Sequence, residues 1–240
     1  MPHKPILAFA TAVLALSGAA AQGQTNFPLT IENCGRSITF EEPPQNAVAL
    51  GQNSAEIMLL LGVEDRMAAS AFWPNSVLPE LADANAEVEV LTVEFPQLEA
   101  VLSKQPDFVA AMLTTLLGPD SKVAKRSDFE DLGIPTYLSP SACSTTLDAG
   151  DAYGSRDELW SMDLLYKEIE DLSRIFDVAD RGEALIADFK AREASLREQF
   201  SENEGLTFLF WFSSPSPADD AYLGGGNGPS GYIADILGGT

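Results

Sequence analysis

Between Arg156 and Phe176 the chain contains no Gly and no Pro, and its apolar residues fall at Met162, Leu165, Tyr166, Ile169, Leu172 and Phe176. That is the 3.6-residue spacing of one buried helical stripe. Ser155 followed by Glu158 has the form of a capping box and predicts a helix start at Ser155. A helix over 155–177 would be about 30 Å long, the width of a small domain. On either side, short apolar runs alternate with helical patterns. This stretch therefore reads as a connector between two α/β lobes. The same pattern would also suit one more helix covering a sheet within a single domain.

Upstream, Leu29 to Ile31 and Ser37 to Phe40 alternate apolar with polar residues around Asn33-Cys34-Gly35-Arg36, which predicts a hairpin. Strands are expected at Ala47–Leu50, Met67–Ser70, Val88–Leu91, Phe108–Met112 and Thr136–Leu138. Helices are expected from Gly51-Gln52-Asn53-Ser54 to Leu61, near Val77–Ala84, and over Leu98–Lys104 and Ser121–Leu132. Such alternation implies a mainly parallel sheet covered on both faces. Downstream, a second helix is expected to about Phe200, followed by TFLFWF, Thr207–Phe212, as a buried strand. A Gly-rich loop and a last helix, Tyr232–Leu237, follow. One clear strand is too little to close a second sheet, so a C-terminal part is expected beyond Thr240. The expected organisation is a targeting segment at 1–21, an α/β lobe at 22–154, the connector at 155–177 and a partial lobe at 178–240.

The targeting segment has a basic start at Lys4, an apolar run from Ile6 to Leu16 and small residues at Ala19-Ala20-Ala21. The apolar run is too short to span a bilayer. An exported chain makes a disulfide the default for its two cysteines, Cys34 and Cys143. The one histidine, His3, lies inside the targeting segment. The mature chain thus lacks the residue that His-based zinc sites and Ser-His-Asp triads require. Net charge is −22, from 36 acidic against 14 basic residues, which argues against nucleic acid and anionic membranes as ligands. It also favours a neutral or cationic small ligand over an anionic one.

Gly226-Asn227-Gly228-Pro229-Ser230-Gly231 matches a dinucleotide-binding spacing. However, Pro229 removes an amide donor, and the match reads as a turn feeding a helix. The carboxylates, Glu168 to Asp171 among them, are too numerous to single out a catalytic pair, and most read as solvated faces. In open α/β folds ligands lie beyond the carboxyl ends of strands. Candidate ligand-binding residues at such positions are Gln52, Asn53, Trp73, Thr114, Trp211 and Ser213, with Ser139 and Thr115 nearby. Aromatic planes with a few polar groups suit a bulky, partly apolar ligand.

The order VALGQNSAEIMLLLGVEDRM, FPQLEAVLSKQPDFVAA and DLGIPTYLSP resembles the substrate-binding proteins of ABC importers, in the class that takes ferric siderophores, haem and cobalamin. LLYKEIEDLSRIFDVADRGEALIADF and GYIADILGGT resemble that class's connector helix and second-lobe motif. The resemblance implies two Rossmann-like lobes with parallel sheets joined by one long helix, a ligand cleft between them, and a monomeric, non-enzymatic protein of the periplasm. It implies a metal chelate as ligand, and a membrane permease with its ATPase as partners; no cofactor is expected. It also implies that Glu99 docks on permease arginines. The rival reading is an exported hydrolase using carboxylates, or a non-catalytic structural module.

Overall fold

The structure is a computed structural model and describes residues 25–143, 156–213, 216 and 221–239. The expected targeting segment and Ser155 lie outside the described residues. The chain opens with a hairpin, β1 Leu29–Asn33 and β2 Arg36–Phe40, paired antiparallel from Leu29↔Phe40 to Asn33↔Arg36. Next come β3 Ala47–Leu50, α1 Gln52–Leu60, β4 Met67–Ala71, α2 Ala82–Ala86, α3 Leu98–Leu102 and β5 Phe108–Ala111. They are followed by α4 Arg126–Glu130, β6 Thr136–Leu138 and α5 Pro140–Cys143. Two longer helices, α6 Met162–Ile175 and α7 Ala179–Gln199, precede the short pair β7 Trp211–Ser213 and β8 Tyr222–Leu223, and α8 Pro229–Ile236 ends the described chain.

The central sheet is parallel, in the order β4-β3-β5-β6. Its inner strands are buried along their whole length because both faces are covered. Side chains alternate between two cores, as a pleated strand requires. Ala47, Ala49, Phe108, Ala110 and Tyr137 point to the hairpin, α1 and α6; Val48, Leu50, Val109, Ala111 and Leu138 pack with Phe72, Val101, Leu117 and Phe129. From α6, the stripe Ile169, Leu172 and Ile175 enters the first core.

The hairpin closes the β6 edge of the sheet. Asn33 acts there as a substitute backbone, with Nδ2 donating to the Leu138 carbonyl at 2.8 Å and Oδ1 accepting from the Leu138 amide at 2.9 Å. Cys34 and Cys143 are joined as a disulfide beside it, with Cα atoms 5.1 Å apart. Buried Arg126 completes the edge, donating to the Asn33 and Thr136 carbonyls. An otherwise open strand edge is thus occupied.

Several boundaries differ from expectation. The helix predicted from Ser155 begins at Met162, with Ser161 as its N-cap residue. The reason is competition for its backbone. Asn227 Nδ2 donates to the carbonyls of Arg156 and Asp157, and the Trp160 amide donates to the Asn227 carbonyl at 2.8 Å. The segment before α6 is therefore strapped to the loop before α8 instead of coiling. Val88–Leu91 forms a single bridge, Val90 to Ser70, rather than a strand. The helix expected over Ser121–Leu132 shrinks to α4, because Ala124 is drawn into a bridge with Leu117. The helix near Val77–Ala84 starts later, after a tight turn at Pro79–Leu81. Thr207–Phe212, expected as a buried strand, is paired only at its end. With only a two-stranded ladder formed at that end, Leu209 before it and Phe212 within it stay 75% and 66% exposed.

Candidate binding site

Strand order places the site. The chain leaves β3 for β4 on one side and returns to set β5 on the other, so the connections diverge at the carboxyl ends of β3 and β5. Such a divergence opens a crevice in parallel α/β sheets. A pocket of about 290 Å³ lies there. Asn53 lines it just after β3, Met112 and Leu113 directly after β5, and Ser139 and Ser141 after β6. The opposite wall is Arg156 and Trp160 from the strapped segment, Leu165 and Glu168 from α6, and Pro229 from α8. A Cβ on Gly51 would run into the Met112 side chain, so glycine there lets the β3 and β5 ends approach.

Glu168 forms the polar floor. It is buried, and its carboxyl accepts from Asn53 Nδ2 at 3.1 Å, Ser54 Oγ at 3.2 Å and Ser139 Oγ at 2.5 Å. Burial pushes its pKa up to about 7, although these three hydrogen bonds pull it down, and the nearby Asp171 adds to the rise. Among the described residues no Lys or Arg forms an ion pair with it. Deeper, burial raises the Asp171 pKa, opposed by Lys167 and by the Tyr137 hydroxyl, which donates at 2.9 Å. Among the described residues, Arg156 is the cation that lines the pocket. Its Nη1 is buried without a hydrogen-bond partner among the described residues, and burial lowers its pKa. Trp160 is held from both sides. Its Nε1 donates to Ser141 Oγ at 2.9 Å, and its ring meets Tyr232 of α8 edge-on at 5.2 Å. Tyr232 in turn bonds Glu193 of α7.

Of the six ligand-binding candidates, the structure brings Asn53 to this pocket. Gln52 turns to the loop after β4, bonding Glu56, the Ser76 carbonyl and the Asn75 amide. Trp73 does not line the pocket; it packs in the first core and donates Nε1 to Ser70 Oγ at 3.0 Å. Thr114 is half-buried in the turn after Leu113, outside the lining. Trp211 is 60% exposed in β7, and Ser213 pairs with Tyr222 in the same ladder. Glu99 is exposed in the first turn of α3.

Sequence reasoning passed over Trp160 and Glu168. The sequence pattern puts Trp160 inside the connector helix, whereas its amide bonds the Asn227 carbonyl of a distant loop. Glu168 and Asp171 lie in an acidic run of the kind that most often faces solvent, yet both are buried. Helical phase carried that signal, because Glu168 sits three residues after Leu165 and four before Leu172, on the flank of the apolar stripe. Among the described residues no cluster of three or more His, Cys, Asp or Glu could hold a metal ion, and no helix is long and apolar enough to cross a membrane.

The periplasmic binding protein family matches residues 48–240. The vitamin B12-binding protein of Vibrio campbellii is 24% identical over 172 residues, which is 71% of this chain and 52% of that one. A periplasmic binding protein from Veillonella parvula superposes with a TM-score of 0.66 at 22% identity, covering 88% of this chain and 65% of its own. An ABC-type Fe3+-hydroxamate transport protein from Saccharomonospora viridis gives a TM-score of 0.59 at 27% identity, covering 78% and 61%. The chain thus spans about half the length of the curated relative and somewhat under two thirds of each of these two structures. With a parallel sheet, a pocket beyond its strand ends and this match over most of its length, the chain belongs to the periplasmic binding protein family.

Proposed function

We propose that this protein is the extracytoplasmic solute-binding component of an ABC importer. It captures a metal chelate of the ferric siderophore, haem or cobalamin type and hands it to a permease driven by an ATPase. The observation that carries the reading is the placement of the pocket. It sits at the divergence of β3 and β5, and it combines an aromatic wall, Trp160, with polar groups from two strand ends, Asn53 after β3 and Ser139 and Ser141 after β6. Relatives that bind vitamin B12 or belong to Fe3+-hydroxamate transport support the ligand class. On this reading residues 22–154 are one lobe, α6 belongs to the connector, and 178–240 belong to a second lobe, in the periplasm.

Glu99 fits a docking role. Helix α3 starts on the pocket side of the sheet, since Phe95 packs on Phe72 just past β4. It ends on the far side, where Asn46 Nδ2 donates to the Lys104 and Gln105 carbonyls. Glu99 is exposed in the first turn of α3, and a carboxylate at the rim of an interface would steer encounter and fix register.

The test is calorimetric titration of the full-length protein with a ferric hydroxamate, a ferric catecholate, haem and cobalamin, followed by recovery of each ligand. One member binding in the micromolar range or tighter, and recovered unchanged, is the expected result. Chemical conversion of a ligand, or no binding across the panel, would overturn the reading.

A further inference from the structure

The pocket holds two ionisable groups that do not neutralise each other. Among the described residues, Arg156 has a buried nitrogen with no hydrogen-bond partner, and Glu168 has three donors but no ion pair. Resting on the functional reading above, we infer that Glu168 couples ligand binding to a proton. With Glu168 protonated, the pocket takes the anionic face of a chelate at Arg156 and Ser139; as Glu168 ionises, that affinity is lost.

The argument begins with hydrogen bonds. An ionised carboxylate only accepts, so Ser139 and Asn53 must then aim their donors at it. Ser139 lines the pocket and would present only lone pairs to the ligand. A protonated Glu168 has a hydrogen to give to Ser139 Oγ at the same 2.5 Å, which frees the serine hydroxyl to donate into the pocket. One proton thus reverses the polarity of the pocket floor. Charge acts in the same direction, because an uncompensated carboxylate in a dry floor repels an anion.

The groups facing Glu168 do not remove the effect. From α1 come neutral Asn53 and Ser54, and from β6 and its end Tyr137 and Ser139. On its own helix Asp171 adds negative charge, and Lys167 is already paired with Asp171. From the strapped segment comes Arg156, and Pro229 of α8 carries no charge. Burial sets the Glu168 pKa at about 7, so the change falls within the range an extracytoplasmic compartment meets. The negative charge of the whole molecule favours neutral or cationic ligands, but the described lining of the pocket carries a cation, Arg156, beside Glu168.

The experiment titrates the full-length protein with an anionic ferric catecholate and a neutral ferric hydroxamate at pH 6 and pH 8, in buffers of different ionisation enthalpy. The catecholate should bind about tenfold tighter at pH 6, with net proton uptake on binding near neutrality. Glu168→Gln, measured alongside to cancel the ligand's own titration, should abolish both the pH dependence and the proton uptake. Ser139→Ala, which leaves Glu168 in place, should lose much of the affinity gained at pH 6. Catecholate affinity unchanged between the two pH values, binding of the hydroxamate alone, or a wild-type pH profile in Glu168→Gln would each overturn the inference while leaving the binding function standing. Absence of binding to either chelate at either pH would overturn the inference, and only the further failure of haem and cobalamin to bind would overturn the binding function with it.

Discussion

Glu168 shows how little a residue type says without its helical phase. The same Glu that reads as surface in a run of acids becomes a buried acceptor once α6 lies on the sheet. Its pKa is about 7 in the folded chain against an ordinary 4.5. The folded state therefore keeps its proton where the unfolded state has lost it, and stability falls as pH rises from about 4.5 to about 7. At about 1.4 kcal/mol per pKa unit the loss is about 3 kcal/mol, so Glu168→Gln should flatten the difference in urea unfolding between pH 5 and pH 8. Trp73 shows the opposite error. Its place after β4 and before Pro74 suggested a cleft residue, but the indole is core and bonded to Ser70. Trp73→Ala should cost about 3 kcal/mol or more in chemical denaturation and leave the affinity of the folded protein within about twofold.

At the scale of elements, the strands were legible because a parallel sheet buries both faces. AVAL and FVAA are short continuous apolar runs, and they form β3 and β5. The hairpin was legible from its alternation and turn. The start of α6 was not, because the backbone of Arg156 to Trp160 is claimed by Asn227 from a distant loop. Local pattern carries no record of such a competitor. The approach of α6 and α7 was equally invisible. Gly182 is buried at their crossing, and a Cβ there would press on Ser173 and the Ile169 carbonyl. Gly182→Val should destabilise the protein by about 1–3 kcal/mol, read as a lower urea midpoint, because α6 must move off α7 or off the sheet.

For the whole molecule, the α/β class followed from the alternation of strands and helices. The site followed only in part. Asn53 could be named because it directly follows a strand, whereas Arg156, Trp160 and Pro229 reach the pocket through tertiary contacts between distant segments. Docking belongs to this scale too. Glu99→Arg in the full-length protein should leave ligand affinity intact, reduce importer-coupled uptake, and raise the dissociation constant for the permease severalfold in a surface-binding assay. The central claim is that the chelate sits in the crevice where the β3 and β5 ends diverge, against Trp160. Calorimetric titration of wild-type and Trp160→Ala full-length proteins with the chelate the wild type binds tests it most directly. The account predicts that the variant stays folded and binds at least about tenfold more weakly, since stacking on an aromatic wall contributes on the order of 1 kcal/mol beyond the area buried. Equal affinity in the two proteins would place the ligand elsewhere and contradict it.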